Sequence, residues 1–264
     1  MGPTILKGRN ALVTGSTSGI GLGIARSFAQ AGLNVLLNGL GNAEEIEKVR
    51  ANLEKESGVR VLYHGANMTS GTAIGEMIAY AEKELGAVDV LVNNAGVQHT
   101  AALEDFPPEK WDLIIAINLT SAFHTTRLVL PGMKKRGWGR IINIASVHGL
   151  VASTHKSAYV AAKHGIIGLT KVTALECAEF DITANAICPG WVRTPLVEAQ
   201  IATIAHERGL SQAEAAIELL AEKQPNKRFA ETEAIGGLAL FLLSEAACNM
   251  TGVSLPVDGG WVAR

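Results

Sequence analysis

Seven short runs rich in Val, Ile and Leu recur along the chain, at residues 10–14, 34–38, 60–64, 89–92, 140–145, 182–187 and 254–257. Between them lie longer stretches such as IARSFAQAG, AEEIEKVRANLEKE and AIGEMIAYAEKELG, whose apolar positions fall three and four apart. The first pattern reads as strands and the second as amphipathic helices. Strand and helix alternating this often predict a parallel sheet with helices on both faces, because parallel neighbours need a crossover. The runs NALVT, VDVLV and RIINIA are apolar almost throughout, as strands covered on both sides must be. Gly32, Gly58 and Gly86 stand where helices should end. The expectation is an α/β, doubly wound, Rossmann-type sheet of about seven strands, in one domain spanning residues 1–264.

One stretch breaks the alternation. Residues 195–225 read as two helices separated by Gly209 and a Ser211 N-cap. They follow a strand end, where open α/β sheets bind ligands. A mobile helical lid over a substrate and a fixed helical hairpin both fit. Pro256 interrupts the last strand, which suits a sheet edge.

Composition narrows the function classes. Hydrophobic residues make up 48% of the 264, charged residues 18%, and the formal net charge is −2. Such a chain folds around a core and has no cationic excess to neutralise nucleic acid. Three cysteines at irregular spacing give neither a disulfide framework nor a thiolate zinc site. No His, Asp or Glu grouping has convincing ligand spacing, so no catalytic metal is expected. Lys7 and Arg9 stand where a signal peptide needs an apolar run, and no apolar run approaches the ~18 residues of a membrane span. These readings lead to the expectation of a cytoplasmic protein without a membrane partner.

The chemistry starts at TGSTSGIGLGIARSF. Gly15, Gly19 and Gly21, spaced G-x-x-x-G-x-G after the first strand and at a helix start, let backbone N–H groups approach a pyrophosphate. At the end of the second strand Gly39 replaces the acidic residue that would bind a ribose 2′-hydroxyl. No Lys or Arg lies between Gly32 and Lys48 to pair with a 2′-phosphate, so the balance favours NAD.

Ser146 closes a strand, and Tyr159 and Lys163 lie four apart on one helix face. A free phenol has a pKa near 10, and about 4 kcal/mol of differential stabilisation would bring it near 7. A neighbouring ammonium favours the phenolate, which could then act as a general base. Alone, a Tyr-x-x-x-Lys pair is usually a surface feature.

Taken together, TGSTSGIG, NNAG at 93–96, Asn118, Ser146, Tyr159-x-x-x-Lys163 and Pro189-Gly190 closely resemble the short-chain dehydrogenase/reductase family along essentially the whole chain. The resemblance implies hydride transfer with NAD or NADP. It makes Tyr159 the acid/base, Lys163 its modifier and a ribose ligand, Ser146 the holder of the substrate oxygen, and Asn118 a helix-kinking member of a proton relay. It places Gly15, Thr17, Ser18, Gly19, Ile20, Gly21, Asn67, Met68, Asn94, Ala95, Gly96, Pro189, Gly190, Val192 and Thr194, with Tyr159 and Lys163, around the cofactor. Asn67 departs from the family's usual Asp facing the adenine, although an amide oxygen still accepts a hydrogen bond. The likeness also implies a homotetramer, with GGLALFLL and the C-terminal strand as a candidate interface.

A second layer of resemblance lies in VQHTA, HGLVASTHKSAY, CPGWVRTPLVEAQ and VDGGWVAR. These segments are similar to the branch of the family that acts on 3-hydroxybutyrate, implying NAD-dependent reversible oxidation of (R)-3-hydroxybutyrate to acetoacetate. Gln98, His148, Lys156 and Gln200 would bind the carboxylate, and Trp191 and Trp261 would wall the methyl end, beside Ser146 and Tyr159. A carboxylate leaving water needs such donors. Each of these six residues also has an ordinary reading as a solvated, capping or core residue. A 3-oxoacyl thioester reductase and a non-catalytic nucleotide-sensing protein are the rival functions.

Overall fold

The structure is a computed structural model and describes residues 6–263, apart from the side chains of Leu196 and Glu222. Seven parallel strands form one sheet: β1 (Asn10–Val13), β2 (Asn34–Asn38), β3 (Val61–His64), β4 (Val90–Asn93), β5 (Trp138–Ile144), β6 (Asp181–Pro189) and β7 (Ser254–Val257). Their order is β3-β2-β1-β4-β5-β6-β7. The direction of winding reverses between β1 and β4, so a crevice opens at the carboxyl ends of those two strands. β7 is an edge strand, and Pro256 sits on it without breaking a central ladder.

Alternate strand residues feed two cores. Ala11, Val13, Val35, Leu37, Val90 and Val92 face one layer of helices, α1 (Gly19–Gln30) and α9 (Thr232–Phe241) among them. Leu12, Leu36, Leu91 and Ile141 face the other, against α3 (Gly71–Leu85), α5 (Ser121–Arg136) and α6 (Ser157–Glu176). Each such side chain, fully buried, contributes roughly 1.5–3 kcal/mol. This two-sided burial is why the strand runs are apolar without alternation.

Local signals set the helix ends. α2 (Ala43–Ser57) starts where the Asn42 side chain accepts from the Glu44 and Glu45 amides, and stops at Gly58, whose φ is 70°. Ser70 and Gly86 do the same for α3. α1 instead ends one residue early, with Ala31 as its C-cap and Gly32 just beyond.

Helix α4 (Pro108–Ile115), a π-helical turn (Ala116–Thr120) and α5 run on without a break. The 29-residue stretch contains an 18-residue window with mean hydropathy 1.4, long and apolar enough to cross a membrane by length and composition. It holds no unbroken apolar run of that length, since Asn118, His124 and Arg127 interrupt it. Here Ala122, Val129 and Met133 of that stretch are buried against the sheet layer.

Residues 195–225 do form two helices, α7 (Pro195–Arg208) and α8 (Gln212–Lys223). Gly209 ends the first at φ 63°, and a reciprocal Ser211–Glu214 capping box starts the second. The pair has its own small core, formed by Val197, Ile201, Ala205 and Ala215, with Trp191 and Phe229 packed on it.

Candidate active site

The crevice between β1 and β4 is a cleft of about 500 Å³. One wall is the glycine loop, where Gly15, Thr17, Ser18, Gly19 and Ile20 line the space. Gly21 lies behind them. A Cβ there would sit 2.3 Å from the Gly15 carbonyl oxygen and 2.5 Å from Asn94 Nδ2. The loop can close this tightly only without a side chain. Ser18 makes no side-chain cap to α1, which leaves the first-turn amides free to meet an anion.

A lattice of hydrogen bonds holds the loop. Asn94 Nδ2 donates to the carbonyls of Thr14 and Gly15 at 2.9 and 2.8 Å. Thr14 Oγ1 accepts from the amides of Asn94 and Ala95. Asn38, fully buried, accepts from the Gly15 amide and donates to the His64 and Ala66 carbonyls. Sequence reasoning missed Thr14 and Asn38, since their partners are brought together only by the sheet.

Gly39, Leu40, Ala66, Asn67 and Met68 line the far end of the cleft, and Asn94, Ala95 and Gly96 its floor. A Cβ on Gly39 would lie 2.5 Å from Thr17 Oγ1, so the loop leaves no room for the acidic side chain absent here. Asn67 Oδ1 accepts from the Thr69 amide and hydroxyl. Among the described residues lining the cleft, Lys163 is the only Lys or Arg. Pro189, Gly190 and Thr194 close the opposite side, and Thr194 Oγ1 also caps α7 at the Val197 amide. These features fit a dinucleotide: a glycine cradle, an uncapped helix start, and a long groove at the sheet's reversal point.

At the centre of the crevice β5 ends at Ile144, two residues before Ser146. Ser146 Oγ accepts from the His148 amide at 3.2 Å and is hydrogen-bonded to the Tyr159 hydroxyl. Tyr159 and Lys163 lie on α6, as expected, and Lys163 Nζ donates to the Ile144 carbonyl at 2.7 Å. Its ammonium is 5.5 Å from the Tyr159 ring centre. Burial pushes Lys163 down to about 8. Burial also raises the Tyr159 phenol above its ordinary value, and only the Ser146 hydrogen bond pulls it the other way. The Lys163 ammonium faces the Tyr159 ring, and in the chain alone burial is the larger influence on the phenol.

Asn118 stands in the π turn, where the helix is locally unwound. Its Oδ1 accepts from the Val97 amide and its Nδ2 donates to the Val97 carbonyl, both at 2.9 Å. It is buried, and it lines neither the cleft nor the recess beside it.

That recess, of about 130 Å³, opens next to Tyr159. Gln98, Ser146, His148, Lys156, Tyr159, Trp191, Gln200 and Trp261 all line it. Val192, expected at the cofactor, lines this recess and not the large cleft. The Lys156 ammonium lies 5.6 Å from the Trp191 ring centre, and Trp191 and Trp261 are 6.2 Å apart. His148 is held near 4, mainly by burial and then by Lys156, so its ring is neutral at neutral pH. Gln224, also missed from sequence, is 1% exposed and fixes the recess from behind. Its Oε1 accepts from the Trp191 amide at 3.0 Å, and its Nε2 donates to Asn226 Oδ1 and to the Arg228 carbonyl.

Comparison with known proteins agrees with this architecture. Over 260 residues the chain is 58% identical to the D-beta-hydroxybutyrate dehydrogenase of Cupriavidus necator, covering 98% of this chain and all of that one. It is 53% identical over 256 residues to the protein of the same name from Rhizobium meliloti, covering 97% and 99%. Among solved structures, the L-sorbose reductase of Gluconobacter frateurii complexed with NADPH and L-sorbose superposes with a TM-score of 0.94 at 29% identity, over 98% of both chains. An actinorhodin polyketide ketoreductase with NADPH gives 0.89 at 37%, over 96% and 97%. Residues 9–205 match the profile of the short chain dehydrogenases, and the chain belongs to that family of oxidoreductases.

Proposed function

We propose that the chain catalyses the reversible oxidation of (R)-3-hydroxybutyrate to acetoacetate with NAD. The observation that carries this reading is the recess at Tyr159. A cation, two primary amides and two indoles converge there on the same small volume as Ser146 and Tyr159. Its size suits a substrate of few heavy atoms, well below the ~300 Å³ at which drug-sized pockets begin. The names of the two bacterial relatives point to the same substrate.

NAD is preferred because no Lys or Arg lines the far end of the cleft, where a 2′-phosphate would be left without a counter-charge. The glycine loop with the first turn of α1 would hold the pyrophosphate, Asn67 and Met68 would border the adenine, and Lys163 would reach the ribose. When bound, NAD would supply the acceptor for the hydride that leaves the substrate's C3.

The chain's own residues do the rest. Lys156, His148, Gln98 and Gln200 bind the carboxylate and turn C3 toward the cleft. Trp191 and Trp261 enclose the methyl group, where rigid rings exclude water at low entropic cost. Ser146 Oγ holds the substrate oxygen and Tyr159 takes its proton, while Asn118 keeps the Val97 backbone in place beside Gln98. Fixed orientation of the reacting carbon is where much of the acceleration arises. The α7–α8 pair acts as the lid that shuts water out. The family likeness adds a homotetramer, which sedimentation would test.

The deciding experiment follows cofactor absorbance with 3-hydroxybutyrate, its methyl ester and a 3-hydroxyacyl thioester, each with NAD and NADP. Turnover of the free acid with NAD, and little with the ester, is the expected result. Equal rates on acid and ester would refute the carboxylate pocket, and preference for the thioester with NADP would replace the substrate. Lys156→Ala should raise the substrate KM at least tenfold while leaving cofactor affinity nearly unchanged.

A further inference from the structure

β7 ends at Val257, and Asp258 leads from it into the 3₁₀ turn Trp261–Ala263. The Asp258 carboxylate is buried and gives both oxygens to that turn. Oδ1 accepts from the Gly260 amide at 3.0 Å and Oδ2 from the Val262 amide at 2.8 Å. Its carbonyl oxygen accepts from the Trp261 amide at 3.2 Å. The amide of Trp261 and those of both its neighbours are therefore bound to one residue. Gly259 and Gly260, at φ 59° and 92°, reverse the chain between Asp258 and Trp261.

The residue so held is a wall of the recess. Trp261 is buried, with its ring centre 5.4 Å from that of His148 and 6.2 Å from that of Trp191. Asp258 also lies against the base of the facing wall. A Cβ on Gly190, the residue before Trp191, would come within 3.0 Å of Asp258 Cα, and the Gly190 amide donates to the Val257 carbonyl at 3.0 Å. From outside, the Asn226 amide donates to the Gly259 carbonyl at 3.1 Å. Backbone bonds around Asp258 thus set the spacing of the two indoles before any substrate enters. Asp258 itself does not line the recess. Hydrogen bonds from amides to a carboxylate are stronger than those to a neutral oxygen, which suits a rigid cap.

We propose that Asp258 is a positioning residue that sets how long an alkyl end the recess accepts: by capping the turn it holds the Trp261 ring fixed against His148 and Trp191. A wall fixed in advance rejects a longer chain, because the extra methylene must push the turn off its cap. A wall free to swing accepts it. In a fitted apolar pocket one methylene changes kcat/KM by roughly 10–200-fold. This role deepens the reading of Trp261 given above and rests on it for the methyl end of the substrate, but the cap holds the indole whatever the substrate is.

The test compares (R)-3-hydroxybutyrate with (R)-3-hydroxypentanoate, one methylene longer. The ratio of their kcat/KM values, shorter over longer, should fall about tenfold in Asp258→Ala and about threefold in Asp258→Asn, which keeps one acceptor. Loss of folded protein alone scales both substrates equally and leaves the ratio unchanged. On a Trp261→Ala background, Asp258→Ala should change the ratio less than about twofold, since its effect passes through the indole. An unchanged ratio in Asp258→Ala, or a full-sized shift on the Trp261→Ala background, overturns the proposal. Fluorine spectra of protein labelled with 5-fluorotryptophan read the same placement without substrate, with Trp261→Phe supplying the assignment. The Trp261 signal should shift or split in Asp258→Asn while those of Trp111 and Trp138 hold; an unmoved Trp261 signal overturns the proposal as well. If Asp258→Ala does not fold, Asp258→Asn carries both measurements. If native protein fails to turn over 3-hydroxybutyrate, the substrate assignment falls, and the fluorine signal still decides whether Asp258 places Trp261.

Discussion

Replacing Gln224 by Leu tests whether the lid and the recess are one mechanical unit. The side chain is 1% exposed, so nothing but protein surrounds it. Leu nearly conserves its volume and opens little cavity. It removes the acceptor for the Trp191 amide and the donor to the Arg228 carbonyl, two backbone groups on the two sides of the lid's base. Each buried group left unpaired costs roughly 1–3 kcal/mol, and local opening lets water recover part of it. A net loss of about 2 kcal/mol is expected, confined to the segment that Gln224 pins. At about 1.4 kcal/mol per tenfold, that is roughly a 30-fold rise in the opening equilibrium. Hydrogen exchange followed by mass spectrometry reads it directly: amides of 191–230 should exchange roughly 30-fold faster, while β1 and β4 stay protected. Substrate KM should rise, because Trp191 loses its fixed backbone, and cofactor affinity should hold. Unchanged exchange across 191–230, or equal acceleration throughout the sheet, would refute the argument.

Other consequences follow from the same coordinates. Tyr159→Phe should lower turnover by at least 10³-fold while the cofactor still binds, measured by steady-state rates and by fluorescence titration, since only the proton-accepting oxygen is lost. Gly21→Ala places a methyl against the Gly15 carbonyl and the Asn94 amide, neither of which can withdraw without breaking the loop; overpacking of about 1–3 kcal/mol should weaken cofactor binding about tenfold or more by calorimetry. His148 sits near 4 when folded and near 6.5 when unfolded, so the unfolded chain takes up the extra proton between those values. Its contribution is fully present above pH 6.5 and is lost as pH falls toward 4, by at most about 3 kcal/mol. Urea titrations from pH 7.5 to 4 should show that slope in the native chain and a shallower one in His148→Gln.

What was legible in the sequence is what repeats locally. Strands buried on both faces carry runs such as VDVLV, and helix ends carry Gly58 and Gly86, so element type and several boundaries can be read without a fold. The recess residues came from resemblance, and the structure brings all eight into one wall. What stayed hidden is side chains whose partners are distant in sequence. Asn38 reaches from β2 to Gly15 and to Ala66, and Gln224 reaches back 33 residues to Trp191. Neither has a spacing that marks it, because a polar residue at the end of a strand or helix looks the same whether it is solvated or buried. β6 also runs two residues further than the sequence suggested, through Cys188 and Pro189. Pro189 is accommodated because the pairing with β5 stops at Ile187, so no donor is needed from it on that side.

In the Tyr159–Lys163 pair, place and energy are separate questions. One helical turn does bring the two side chains to the same site. The ammonium, however, is committed to the Ile144 carbonyl and is itself weakened by burial to about 8. At pH 7 that ammonium is still mostly charged, but in the chain alone burial outweighs its influence and the phenol is raised. If Tyr159 is the base, its readiness to take a proton cannot be a standing property of the chain. It must arise when a positive ring enters the cleft beside it, helped by the hydrogen bond from Ser146. Proton acceptance would then depend on the oxidised cofactor already being in place. A titration of the Tyr159 phenol by ultraviolet difference, against Tyr159→Phe, should show a pKa above the ordinary phenol value in the chain alone and a fall with NAD. Ionisation near 7 without the dinucleotide would return the leading role to Lys163.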